Sequence, residues 1–237
     1  MRASRKKLPQ LELDLRRKTW GGARKGAGRK KTGKCRDAPH RRRPEISNHH
    51  PQHAVLRTRK DVPRLRRGAT YQAISRAIQH TLGEHAFRVV HTSIQHNHLH
   101  FLIEAENKKA FSRGMRALAI CAARAINEVL GRKGKVFAYR YHATSITSPR
   151  QMRNALAYVL NNWRRHNEDQ KSPAARTATL DPYSTAIHFR GWKEAPKFAV
   201  PKGYEPLPNA EATTWLLRVG WQRHGLISAF DVPGSAP

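Results

Sequence analysis

Two β-rich runs in the middle of the chain are separated by only two residues. The runs cover 87–95 and 98–104, and His96 and Asn97 stand between them. A connection this short joins neighbouring strands as an antiparallel hairpin. The hairpin therefore supplies two adjacent strands of any sheet that the chain forms.

The segments on either side of the hairpin complete a known order of elements. Alternating residues predict strands over 53–59 and 139–147, and apolar residues at helical spacing predict helices over 71–82 and 111–129. The resulting order, β-α-β-β-α-β, is typical of the ferredoxin-like α+β sandwich. Pro149 opens one additional helix, which the pattern extends to about residue 167.

Basic residues dominate the composition and are concentrated near the N-terminus. The chain carries 46 Lys and Arg against 16 Asp and Glu, a formal net charge of +30. This charge excludes most enzymes of small neutral substrates and favours nucleic acid as the partner, with an anionic membrane surface second. Residues 1–50 alone contain 17 Lys and Arg, including Arg41, Arg42 and Arg43. Because this arm has few apolar residues, we expect it to be disordered when free and to bind the DNA backbone.

Changes in composition predict the other boundaries. Residues 51–168 have the pattern of one folded domain, and 169–237 form a Pro/Gly-rich tail with a short helix predicted over 210–219. The tail either wraps the domain or grips a ligand. The sequence has no run of eighteen apolar residues, no secretory signal and only two cysteines. These features predict a cytoplasmic, nucleoid-associated protein without membrane contact.

Residues 28–35 have the spacing of a phosphate-binding loop. However, Cys35 replaces the hydroxyl residue that would bind Mg²⁺, and no apolar strand precedes the segment. We therefore expect no nucleotide cofactor.

His98 and His100 are candidate metal ligands. They are two residues apart on a predicted strand, so their side chains project from one face, while Leu99, Phe101 and Ile103 point into the core. Two imidazoles on one face of a rigid strand suit a divalent metal ion. The alternative, in a chain with 14 histidines, is a pair of ordinary surface side chains.

Tyr158 is predicted to lie off the apolar stripe of the last helix. At about 100° per residue it falls roughly 130° from the centre of that stripe, and Asn162 follows one turn later on the same flank. A tyrosine hydroxyl beside an amide oxygen suits a nucleophile next to a metal ligand. The alternative is an ordinary, partly exposed helix tyrosine.

Basic side chains are predicted to surround this tyrosine and to contact DNA. The last helix carries Arg150, Arg153, Arg164 and Arg165, and the strand before it carries Arg140 and His142. For the helix arginines, the alternative is a solvated face.

Three segments together resemble a known family. The stretch 97–103, Asn-His-Leu-His-Phe-Leu-Ile, resembles the His-hydrophobe-His signature of HUH endonucleases. The stretch 157–162, Ala-Tyr-Val-Leu-Asn-Asn, is similar to the Tyr-Ile-x-Asn-Asn segment of single-tyrosine transposases, and 136–142 resembles their Phe-x-x-Arg-Tyr segment. The matches occur in family order over about 53–166, and the REP-associated tyrosine transposases are the most similar type.

The resemblance implies a mechanism. His98 and His100 would hold Mg²⁺ or Mn²⁺ with Asn162 as the third ligand, and the Tyr158 hydroxyl would attack a phosphorus of single-stranded DNA. A 5′-phosphotyrosyl enzyme and a free 3′-OH would form, and a second 3′-OH would reverse the step. The expected substrate is hairpin or palindromic DNA, and the expected assembly is a monomer or a homodimer.

One departure from the family bears on the structure, and two other functions remain open. The family usually has Pro after the Asn pair, whereas this chain has Trp163, so we expect the helix to continue. The alternatives are a domesticated, non-catalytic DNA-binding protein of the same fold and a basic RNA-binding protein. The intact His98, His100 and Tyr158 favour the enzyme, because neither alternative needs them.

Overall fold

A computed structural model describes residues 44–196, 198 and 203–234, all within one structural unit of the chain. Most of the predicted basic arm, including Arg41, Arg42 and Arg43, lies outside these residues.

One antiparallel sheet forms the centre of the described chain. Its strands are β1 (Gln52–Arg57), β2 (Phe87–Ile94), β3 (His98–Ala105) and β4 (His142–Ser145), in the spatial order β2-β3-β1-β4. Helix α1 (Gly68–Gln79) connects β1 to β2, and helix α2 (Lys108–Val129) connects β3 to β4. The first six elements therefore run β-α-β-β-α-β, and the prediction of an α+β fold is confirmed.

Alternation along the strands divides the core between the two faces of the sheet. On one face Leu99, Phe101 and Ile103 pack in a cluster with residues of α1 and α2. On the other face Leu102 belongs to a second cluster, which contains the helix α3 (Pro149–Leu160) and parts of the tail. The sheet thus lies between two layers, and His98 and His100 share the face of Leu102.

Strand β4 is shorter than the predicted range 139–147. Phe137 bridges Thr58, and His142 pairs with Val55, so an advance of three residues from Val55 to Thr58 faces an advance of five on the other segment. The two extra residues bend away from the sheet. Arg140 therefore lies outside the strand that was expected to carry it.

The prediction of one continuous helix to about residue 167 is wrong. Helix α3 ends at Leu160, and a separate single turn, α4 (Asn162–Arg165), follows it. At the junction, the Asn161 side-chain amide donates a 2.8 Å hydrogen bond to the carbonyl of Ser228. A residue of the tail thus holds the point where the helix ends, and Asn162 is not one turn further along the same helix as Tyr158.

The described part of the tail covers the second face of the sheet. Leu216, Leu217, Trp192 and Trp221 are buried in the same cluster as α3. The buried carboxylate of Glu104 on β3 accepts hydrogen bonds from the tail backbone. The short helix predicted over 210–219 is seen as α6 (Trp215–Arg218), which comes after α5 (Pro173–Thr177) and precedes a 3-10 turn.

A buried ion pair fastens the tail to the loop before α1. Both guanidinium nitrogens of Arg66 donate to Asp181, at 2.9 and 2.8 Å, and the Asp181 side chain has no exposed surface. Arg66 also donates to the carbonyl of Ile94 at the end of β2. The pair therefore joins three segments that are far apart in the sequence.

Replacing Asp181 is expected to destabilise the fold strongly. Asp181→Ala leaves the buried Arg66 guanidinium with only the longer, 3.6 Å pair to Glu168. This should lower the free energy of unfolding by up to about 3–5 kcal/mol. Urea denaturation followed by circular dichroism measures this loss. The matched control is Asp61→Ala, which removes a half-exposed carboxylate that pairs with Arg59 and Arg132 and should cost only about 1 kcal/mol. Equal losses in the two variants would contradict this account of the pair.

Candidate active site

His98 and His100 lie side by side on the face of β3 that is turned toward α3. Their ring centroids are 4.7 Å apart, with the rings nearly perpendicular. His100 is buried, and His98 is half-buried at the start of the strand. The structure thus brings the two imidazoles to one place, as the alternation of the strand predicts.

Tyr158 lies in the last turn of α3 and contacts His100 of this pair. Its ring meets the His100 ring edge-on, with 5.3 Å between centroids. The alternative of an ordinary, partly exposed helix tyrosine is wrong, and so is the placement off the buried face, since only 8% of Tyr158 is exposed. The sheet covers one side of α3 and the tail packs against the same helix, so the tyrosine is buried although it lies off the predicted stripe.

Two further histidines, which the sequence analysis missed, complete the group. His53 on β1 lies edge to edge with His100, with centroids 5.3 Å apart and planes 17° from parallel. His166, just after α4, meets His98 edge-on at 5.3 Å. We call His53, His98, His100 and His166 the histidine cluster. His53 could have been found from the expected strand order, which puts β1 beside β3, whereas no sequence signal singles out His166.

Burial keeps the histidine cluster in its neutral form. Desolvation, followed by repulsion from neighbouring basic groups, lowers the pKa of His53 and of His98 to about 4. The same causes lower the pKa of His100 well below 6.5, and that of His166 is lowered as well. At pH 7 the imidazoles of His53, His98 and His100 are therefore uncharged, which is the form that binds metal ions.

The expected metal ligands carry polar atoms that nothing else in the described chain satisfies. Nε2 of His100 is buried without a hydrogen-bond partner, and so are both amide atoms of Asn162. Buried polar atoms are normally paired, so unpaired atoms on two proposed ligands fit a site for an ion. Within the described ranges no group of three or more His, Cys, Asp or Glu is arranged to hold a metal ion. The candidate set therefore rests on two imidazoles and one amide oxygen.

The arginines predicted to contact DNA differ in their surroundings. Arg165 lies over the Tyr158 ring, with its guanidinium carbon 5.9 Å from the ring centroid. Arg153 donates to the carbonyls of Gly225 and Leu226, and Arg164 donates to those of Thr179 and Ala229. Arg165 is exposed and also donates to the carbonyls of Pro233 and Gly234. Arg140, His142 and Arg150 are exposed as well. Arg153 and Arg164 thus hold the tail, and DNA contact by any of these residues stays a prediction.

In the described residues, no helix combines the length and the apolar character needed to cross a membrane.

Comparisons with known proteins identify the family of this fold. No curated protein matches the chain. Among solved structures, a REP-associated tyrosine transposase bound to a REP hairpin is similar, with 18% identity and a TM-score of 0.45 over 54% of this chain and 74% of that one. The family model of IS200-like transposases matches residues 47–162, the segment that contains the sheet, α3 and Tyr158. This match covers just under half of the chain and confirms the resemblance to single-tyrosine transposases.

Proposed function

We propose that this protein nicks and rejoins single-stranded DNA through a covalent bond to Tyr158. The observation that carries the proposal is the contact between the Tyr158 ring and His100, a neutral histidine whose buried Nε2 has no partner. This contact lies inside the segment that matches the transposase family. A nucleophile in contact with a candidate metal ligand suits metal-assisted phosphoryl transfer.

His98, His100 and Asn162 would hold the divalent metal, Mg²⁺ or Mn²⁺. Neutral imidazole nitrogens and an amide oxygen are suitable ligands for these ions. The metal, when bound, withdraws charge from the scissile phosphate and supports the negative charge that develops on it.

The resemblance to single-tyrosine transposases implies which bonds change. The Tyr158 oxygen forms a bond to the phosphorus and gives up its proton, while the bond from the phosphorus to the 3′ oxygen breaks. The 3′ oxygen takes up a proton and leaves as a hydroxyl, and the 5′ phosphate stays on the tyrosine. Because one phosphoester replaces another, a second 3′-OH can reverse the step without ATP.

The surplus of positive charge suits a nucleic-acid substrate. The dependence of DNA affinity on salt concentration therefore tests whether Lys and Arg contact the phosphates. If six or more Lys and Arg contact phosphates, raising salt from about 50 to about 200 mM should weaken DNA binding by roughly 10³-fold or more. Fluorescence anisotropy with a labelled hairpin oligonucleotide measures this slope. A salt-independent affinity would contradict backbone recognition by the +30 chain.

A cleavage assay tests the proposal as a whole. The purified full chain is incubated with a hairpin carrying a single-stranded flank, with an unstructured single strand and with duplex DNA, each with Mn²⁺ or with EDTA. We expect metal-dependent cleavage of the hairpin substrate at its single-stranded flank and none of the duplex. Tight DNA binding without cleavage of any substrate would instead support the non-catalytic DNA-binding protein, and preference for structured RNA would support the RNA-binding protein.

A further inference from the structure

His53 is the member of the histidine cluster that contacts both the candidate nucleophile, Tyr158, and a candidate metal ligand, His100. In the register of the sheet, His53 pairs with Leu102 and Val55 pairs with His100, so His53 and His100 are diagonal neighbours on one face. The His53 ring also meets the Tyr158 ring edge-on, at 5.8 Å between centroids. His53 thus contacts both groups on which the proposed chemistry depends.

A hydrogen bond joins the His53 and His100 imidazoles edge to edge. Nε2 of His53 lies 3.1 Å from Nδ1 of His100, and both residues are buried. Such a bond requires an N–H on one nitrogen and a lone pair on the other. If Nδ1 of His100 is the donor, its Nε2 keeps a lone pair; if Nε2 of His53 is the donor, Nε2 of His100 carries the proton and cannot bind a metal.

The hydrogen bond of His98, the other candidate ligand from β3, shows which of its ring nitrogens carries the proton. Its Nδ1 lies 2.8 Å from Oδ1 of Asn97, an atom that only accepts. Nδ1 of His98 is therefore the donor, and Nε2 of His98 keeps the lone pair. A matching arrangement at His100 directs the Nε2 lone pairs of both histidines to a metal ion, and it also explains why Nε2 of His100 has no protein partner.

We propose that His53 is a positioning residue: it accepts the Nδ1 proton of His100, and so fixes the tautomer and ring orientation in which Nε2 of His100 can bind the metal. The inference rests on the proposed function, because it assigns His100 as a ligand. His53 itself binds neither metal nor DNA in this account. Hydrogen-bond partners of this kind typically contribute a factor of about 10–100 to metal affinity.

Two variants of His53 distinguish the loss of its hydrogen-bond acceptor from the loss of its packing against His100. His53→Phe keeps an aromatic ring against His100 but removes the acceptor, whereas His53→Gln carries an amide oxygen at about the length of the imidazole Nε2. Mn²⁺ affinity of the full chain is measured from the EPR signal of free Mn²⁺, without DNA or turnover. We expect H53F to bind Mn²⁺ about 10–100-fold more weakly than wild type and H53Q to bind nearly as well as wild type.

A second measurement needs no variant that might fail to fold. Long-range ¹H–¹⁵N NMR spectra of the metal-free wild-type chain distinguish the two neutral tautomers of each histidine. We expect His100 to carry its proton on Nδ1; a proton on Nε2 would overturn the role of His53. Equal Mn²⁺ affinity of wild type and folded H53F would also overturn that role, while leaving the proposed function intact. If wild type takes up no Mn²⁺ at all, both the inference and the metal-dependent function fail.

Discussion

Tyr158→Phe is expected to abolish strand cleavage. The substitution removes only the hydroxyl oxygen, so the ring that packs against His53 and His100 remains. Since no other atom takes over the bond to phosphorus, the cleavage rate should fall by at least about 10³-fold. Gel analysis of a labelled hairpin oligonucleotide with Mn²⁺ measures the rate, while anisotropy should show DNA affinity close to that of wild type.

The matched control for this variant is Tyr204→Phe. Tyr204 packs beside Tyr71 on the opposite face of the sheet, so losing its hydroxyl leaves the candidate site untouched. Cleavage by Tyr204→Phe should match wild type. If Tyr158→Phe also cleaves at the wild-type rate, the nucleophile is a different group.

His100→Ala is expected to remove the metal and with it the activity. His100 contributes one of two imidazoles, and its Nε2 is the buried atom that has no partner in the protein. Loss of a direct ligand should weaken Mn²⁺ binding by more than the factor of about 10–100 that a supporting residue contributes, and cleavage should fall with it. EPR titration with Mn²⁺ and the cleavage assay give the two values.

The control for His100→Ala is a histidine outside the cluster. His85 is exposed in the connection between α1 and β2, and His85→Ala should bind Mn²⁺ and cleave like wild type. Thermal unfolding of both variants checks that His100→Ala stays folded. Undiminished Mn²⁺ affinity in folded His100→Ala would contradict the ligand assignment.

Local patterns in the sequence predict the parts of the site that depend on short connections and on the alternation of side chains along a strand. The hairpin expected over 87–95 and 98–104 forms as β2 and β3, because a two-residue connection leaves the strands no other pairing. Alternation along β3 puts His98 and His100 on one face in the same way. These features depend on residues close together in the chain, so a single sequence contains the information.

The features that the sequence did not predict are determined by contacts between segments that are far apart in the chain. The last helix ends at Leu160 where Asn161 bonds to Ser228, a residue 67 positions further along the chain. The burial of Tyr158 depends on a layer to which the tail contributes, and the contact of His53 with His100 depends on the register between two strands. Helical periodicity and strand alternation carry no information about such pairings.

Covalent trapping tests the central claim most directly. The full-length wild-type chain is incubated with Mn²⁺ and hairpin oligonucleotides labelled at either the 5′ or the 3′ end, and the products are separated under denaturing conditions. We predict that the 3′ label migrates with the protein and that, after proteolysis, it is found on a peptide containing Tyr158. The 5′ label should be released on a strand with a free 3′-OH. Cleavage that leaves both labels free of protein would contradict the phosphotyrosyl intermediate, and so would an adduct on any residue other than Tyr158.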